Sequence, residues 1–153
     1  MQEQKFDPHK SSLGGMDANT MALLCYLATA IISFIPVVKN VSWLAPLLIF
    51  FLEKESFFVR FHAMQAFALN LIGSIVGLIM LFVLTAMAVT ATVNPLGVLA
   101  GAGIVGFIGL AISIIILVFS IMAMVNANKY ILYKIPVVGK LSDKLIAMFS
   151  SKK

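Results

Sequence analysis

The sequence predicts an all-α fold: a polytopic helical membrane protein with four transmembrane helices, the second of them short, and an amphipathic C-terminal segment. Two observations carry this expectation. Hydrophobic residues make up 61% of the 153-residue chain and charged residues only 11%, outside the range of a soluble domain. The apolar residues also fall into four consecutive stretches, none with the period-two alternation of a transmembrane β-strand, and no internal repeat divides the chain.

The chain opens with MQEQKFDPHKSSLGGMDANT, which lacks the basic start, short apolar run and small-residue cleavage site of a secretory signal. Residues 1–19 are therefore expected to form a polar cytoplasmic tail, 20–128 a four-helix membrane domain, and 129–153 a basic, amphipathic cytoplasmic tail. The first stretch, MALLCYLATAIISFIPVV over 21–38, is long enough for a ~30 Å hydrocarbon core. The second, VSWLAPLLIFFL over 41–52, is short, contains Pro46 and follows Pro36, so it reads as a thin tilted span or a re-entrant segment.

Charge decides between them. Lysine and arginine mark the cytoplasmic side, and they gather in the C-terminal tail (Lys129, Lys134, Lys140, Lys144, Lys152, Lys153) and before the third stretch (Lys54, Arg60). The connection VTATVNPLG carries no charge and KN carries only Lys39. Four crossings of the inner (plasma) membrane with both termini cytoplasmic satisfy this pattern, whereas re-entry of the second stretch alone would put a neighbouring segment on the wrong side. The NVS sequon at Asn40 would lie against the membrane and carries no expectation.

The third stretch, 66–88, continues a polar opening, FFVRFHAMQ. Ser56 is the expected N-cap, so the helix exceeds what a bilayer needs and its first two turns lie at or below the cytoplasmic surface. At 100° per residue His62, Ala66, Asn70, Gly73 and Gly77 form one stripe, and Phe57, Phe61, Met64, Ala68 and Leu71 another on the opposite side. Small residues four apart let helix backbones approach, and an asparagine among them can hydrogen-bond across the contact. In the fourth stretch, 96–125, Ala102, Gly106, Gly109, Ser113 and Ser120 share a face, so the third and fourth helices are expected to pack through these strips. Gly97 and Gly101 read as either helix or loop. Beyond them, Tyr130 and Tyr133 with Lys129 and Lys134 fit an interface belt, and Pro136 and Gly139 punctuate a bend. Leu141, Leu145, Met148 and Phe149 then follow helical spacing, as a short helix on the anionic inner leaflet or a frayed tail.

Several function classes are disfavoured. The net charge of +5 comes from lysines beside membrane segments rather than from a basic face with aromatic readers, so no nucleic acid is expected. Between Glu55 and Asp143 there is no acidic residue, which removes paired carboxylates and an acidic proton relay from the membrane interior. His9 and His62 are too few for a metal site, Cys25 sits in an apolar run where packing is its role, and the glycines follow helix-packing spacing rather than a phosphate loop. No enzyme activity and no cofactor are expected.

WLAPLLIFFLEKESFFVRFHAMQAFALN followed by YKIPVVGKLSDKL resembles a widespread family of small bacterial and archaeal membrane proteins known as a domain of unknown function. The magnetosome protein MamF looks like a member, and the group is similar, more distantly, to the twenty-kilodalton membrane subunit of the chloroplast Tic translocon. The likeness covers roughly 43–145, and FVRFHAMQA is its most specific part; relatives often have a proline at the position of Phe57. It implies a four-helix membrane fold and a translocon or membrane-complex subunit as the functional analogy, with no catalytic residue. The leading expectation is thus a non-enzymatic membrane subunit whose Arg60, Phe61, His62 and Gln65 dock a partner or lipid; the bland reading of the same residues is a structural helix start. Its partners would be the lipid bilayer with its anionic inner leaflet and a membrane protein or a second copy in a homo-oligomer. The alternative is a small oligomeric transporter or channel with Asn70, Ser74 and Ser113 along a polar path.

Overall fold

The computed structural model describes residues 4–150, the side chains of Lys39 and Asn40 excepted; Lys152 and Lys153 of the basic tail lie outside the described residues. In chain order the elements are β1 (Gln4–Lys5), α1 (Ala18–Ser33), a 3-10 helix (Lys39–Leu44), α2 (Ala45–Leu52), α3 (Phe57–Val89), α4 (Pro95–Asn128), β2 (Ile131–Leu132) and α5 (Val138–Ser150). They form two compact units. One takes the chain up to Asn70 together with everything from Phe119 onward, and the other is Leu71–Val118.

In the first unit the N-terminal segment is folded from Gln4 onward. β1 pairs antiparallel with β2, Gln4 opposite Leu132 and Lys5 opposite Ile131, and Phe6 N–H donates to the Tyr130 carbonyl at 2.8 Å. Gly14 and Gly15, both near φ +65°, turn the chain back so that Lys10 pairs with Asp17 across a β-bridge and a 2.8 Å ion pair. Both positions lie in the left-handed region that glycine alone adopts freely.

α1 then runs 16 residues and ends before Pro36, as a residue preceding proline disfavours helix. The return leg is composite: the 3-10 helix rises ~2.0 Å per residue and α2, with Pro46 in its first turn, ~1.5 Å. Each leg therefore measures about 24 Å. Ser33 and Ser42 hydroxyls, 2.9 Å apart, join the legs near the tip. The second stretch does not form a helix of spanning length. Among the described residues α3 and α4, with 33 and 34 residues, are the helices long and apolar enough to cross a membrane.

Ser56 caps α3: its Oγ accepts from Val59 N–H at 3.1 Å and its carbonyl from Arg60 N–H at 3.1 Å. α4 starts with Pro95 at its first position and Asn94 as cap, the Asn94 side chain accepting from Gly97 N–H at 3.0 Å. Gly97 and Gly101 are thus helical.

The second unit holds the remainder of α3 and the greater part of α4. A Cβ on Gly73 would stand 3.4 Å from Ile116, one on Gly101 2.2 Å from Met87 Cε, and one on Gly109 2.9 Å from Met80 Sδ. Gly73, Gly77, Met80, Gly109, Ile112 and Ser113 lie round one cavity of about 270 Å³. Ala102 is half-buried, while Gly106 is exposed with open space where a side chain would stand, so it is not a point of close approach.

Candidate functional site

Polar chemistry concentrates in the first unit, in two clusters. The first is centred on Glu53, in the loop before α3 and only 1% exposed. Its Oε1 accepts from Ser12 N–H at 3.1 Å, Ser12 Oγ at 2.6 Å, and the N–H groups of Glu55 and Ser56 at 3.0 Å each; Oε2 accepts from the Ser11 hydroxyl. Burial pushes the carboxyl up, but these donors to its charged form outweigh burial and hold it at about 2. His9 adds a second tie. Its Nδ1 lies 2.7 Å from the Asp7 carbonyl and takes the donor role, so Nε2 accepts from Ser56 Oγ at 2.7 Å. The cap of α3 is therefore bonded to a histidine 47 positions away.

The second cluster lies inside α1, α3 and the segment after α4. Gln65, fully buried, donates from Nε2 to Tyr26 Oη and to the Tyr133 carbonyl, both at 3.0 Å, and accepts from Ile135 N–H at 3.1 Å. Tyr26 Oη lies 3.1 Å from His62 Nδ1. As Oη already accepts from Gln65, its proton goes to Nδ1 and the imidazole keeps its own on Nε2. That Nε2 is buried with no hydrogen-bond partner, within a wall that includes Phe58 at 4.6 Å between ring centroids. Asn70 donates to Thr29 Oγ1 of α1 at 3.1 Å and to the Ala66 carbonyl at 2.8 Å.

Residues 17–142 match the sequence profile of the magnetosome magnetite crystal formation protein family, well over half of the chain. The chain belongs to this family. It is also similar to the UPF0132 membrane protein of Methanocaldococcus jannaschii, 29% identical over 140 residues that cover 88% of this chain and 74% of the relative. No solved structure matches. Family membership, the relative and the two long apolar helices make this a small helical membrane protein.

In this family member the residues expected to dock a partner do not form an outward face. Phe61, His62 and Gln65 are wholly buried, and only Arg60 of that set is half-buried, its guanidinium 4.7 Å from the centroid of the Phe50 ring. Burial of an amide and an imidazole is tolerable only because they bond to one another's neighbours. Of the packing strip, Ala66 is fully buried and belongs with Asn70 to the first unit, where Asn70 reaches α1 rather than α4. Sequence reasoning missed Tyr26, Glu53, Ser11 and Ser12. Tyr26 carried a signal, a hydroxyl amid an apolar run that must find a partner when buried. The serines carried none.

Proposed function

We propose that the chain is a non-enzymatic, multi-pass protein of the inner (plasma) membrane, serving as a subunit or accessory factor of a membrane complex. One observation carries this reading: the buried carboxylate, amide and capping hydroxyl from which an active site would be built are committed to holding segments together. Glu53 accepts five hydrogen bonds, Gln65 makes three and Ser56 caps a helix. Groups so engaged are poor general acids, bases or nucleophiles. The family is described by magnetite crystal formation; among the described residues no group of three or more His, Cys, Asp or Glu side chains could hold a metal ion. The donors do not fit direct iron binding, so a mineral-related role would run through a partner.

Both termini are proposed to be cytoplasmic, with α1 and its return leg as the first pair of four crossings, through a locally thinned bilayer. β1–β2 pairing ties the N-terminal segment to the segment after α4, and Glu53 ties it to the loop before α3. Such bonds cannot form across a hydrocarbon core, which supports one shared face and an even number of crossings. The lysines of that face favour the cytoplasm. A link to protein translocation, the narrower form of the proposal, rests on the sequence resemblance to the Tic subunit. The transporter or channel alternative gains little from the 270 Å³ cavity, where the Ser113 hydroxyl is turned to the Gly109 carbonyl.

Photo-crosslinkers at Phe82 and Phe107, 76% and 73% exposed, test the reading in native membranes. A recurrent protein adduct, including a second copy of the chain, is the expected result. Adducts to lipid alone at both positions would count against a subunit role.

A further inference from the structure

We infer that the pocket between α2, the start of α3 and the end of α5 holds the phosphate of an anionic glycerophospholipid. Its walls are Phe50, Phe51, Glu53, Lys54, Arg60 and Phe149, around a volume of about 120 Å³. At ~30 Å³ per water molecule, that space suits the five heavy atoms of a phosphate group.

Arg60 is the anchor. Stacking on Phe50 at 4.7 Å orients the guanidinium, and its Nε is buried with no hydrogen-bond partner. An arginine held by a ring with donors still open suits bidentate recognition of phosphate. No carboxylate neutralises it: the ion pairs among the described residues are Lys10–Asp17 and Lys134–Asp143. Glu53 is on the pocket wall, but its oxygens already accept five hydrogen bonds. Lys54 supplies a second cation; one ammonium proton goes to the Phe51 carbonyl at 2.9 Å and two remain. Two cations against one carboxylate leave the pocket positive.

Its surroundings select a lipid over a free anion. Phe51 and Phe149 are 46% and 44% exposed, and on α2 Leu48 and Leu52 are 62% and 59% exposed. Uncovered apolar side chains beside a cationic pocket match a ligand with a phosphate head and acyl tails. Inorganic phosphate would leave them unused.

The test uses the full-length protein in neutral detergent, with native mass spectrometry and thermal unfolding against added dioleoyl-phosphatidylglycerol, dioleoyl-phosphatidylcholine or inorganic phosphate. The wild type is expected to prefer phosphatidylglycerol. Arg60→Gln and Lys54→Gln should each weaken that binding about tenfold, equivalent to about 1.4 kcal/mol, and leave phosphatidylcholine unaffected. Lys144→Gln, on α5 and not in the pocket, should change neither. Lys54 is exposed, so its variant keeps the test readable if Arg60→Gln fails to fold. Unchanged phosphatidylglycerol binding in Lys54→Gln overturns the proposal. So does an equal loss in Lys144→Gln, which would mean unspecific charge attraction, or protection by inorganic phosphate at the concentration where the lipid acts, which would mean a free-anion site. The inference rests only on the membrane setting of the proposed function, and a failed search for a protein partner would leave it standing.

Discussion

The two units of this chain solve the problem of polar groups in opposite ways. In Leu71–Val118 there is no charged residue, and the Thr85 and Ser113 hydroxyls turn to carbonyls of their own helix, Leu81 at 2.7 Å and Gly109 at 2.8 Å. In the first unit local bonds are joined by others between residues 39 to 70 positions apart, through Gln65, Glu53, His9 and Asn70. Local satisfaction makes a helix tolerable in lipid without saying which neighbour it packs on. Long-range satisfaction specifies one arrangement, since an unmade bond leaves a buried donor or acceptor unpaired at about 1–3 kcal/mol each. The teaching is that the bonds that specify one arrangement reside in the first unit.

The largest expected effect follows from cutting the hub. Gln65→Leu preserves bulk but strands the Tyr133 carbonyl and the Ile135 N–H, at a cost of roughly 3 kcal/mol or more. Thermal unfolding in detergent and proteolysis of the C-terminal segment would report it; a melting temperature equal to that of the wild type would break the contrast. Next comes Glu53. A carboxyl held at about 2 in the fold, against 4.5 ordinarily, contributes stability that is complete above pH 4.5 and lost as pH falls toward 2. The contribution is roughly 3 kcal/mol. Glu53→Gln should flatten that acid limb while lowering stability at neutral pH, measured as protease resistance of the 4–17 segment; an unchanged limb would mean that another group titrates there.

Gly139→Ala should cost about 1–3 kcal/mol. Its Cβ would fall 2.8 Å from Lys134 Cβ and 3.1 Å from Lys134 Cα. That backbone cannot readily yield, because Gln65 bonds both of its neighbours, Tyr133 and Ile135. The cost should therefore shrink in a Gln65→Leu background, and strict additivity in the double-mutant cycle would show that the bend and the hub are uncoupled.

What the sequence made legible was what chemistry fixes locally. The Ser56 cap, the excess length of α3, the bend at Pro136 and a helix close behind it, which already includes Gly139, all depend on neighbours within a turn or two. Periodicity also grouped His62, Ala66 and Asn70 on one stripe, yet it could not tell what covers that stripe. α1 does, and the contact of the N-terminal segment was equally hidden, because a two-residue ribbon such as β1–β2 has no alternation long enough to read. The same limit explains α5: spacing marked Leu141, Leu145, Met148 and Phe149 as its apolar side, but Val138, Gly139, Ser142 and Ile146 are the residues it buries. Leu141, Met148 and Phe149 remain uncovered, as an interfacial helix requires.

The smallest expected effect sharpens the comparison most. Gly77 sits on the predicted small-residue strip of α3, where close approach would make any side chain harmful. In the structure a Cβ there meets nothing within 4 Å. Gly77→Ala should then be neutral or gain up to about 1 kcal/mol from helix propensity, in contrast to the loss at Gly139. If it instead destabilises the protein in detergent, the cavity beside Gly77 is narrower than 270 Å³ suggests and the second unit does specify its own packing. If it is silent in detergent yet disrupts assembly in native membranes, the open space belongs to a partner helix, and the strip is an interface between molecules.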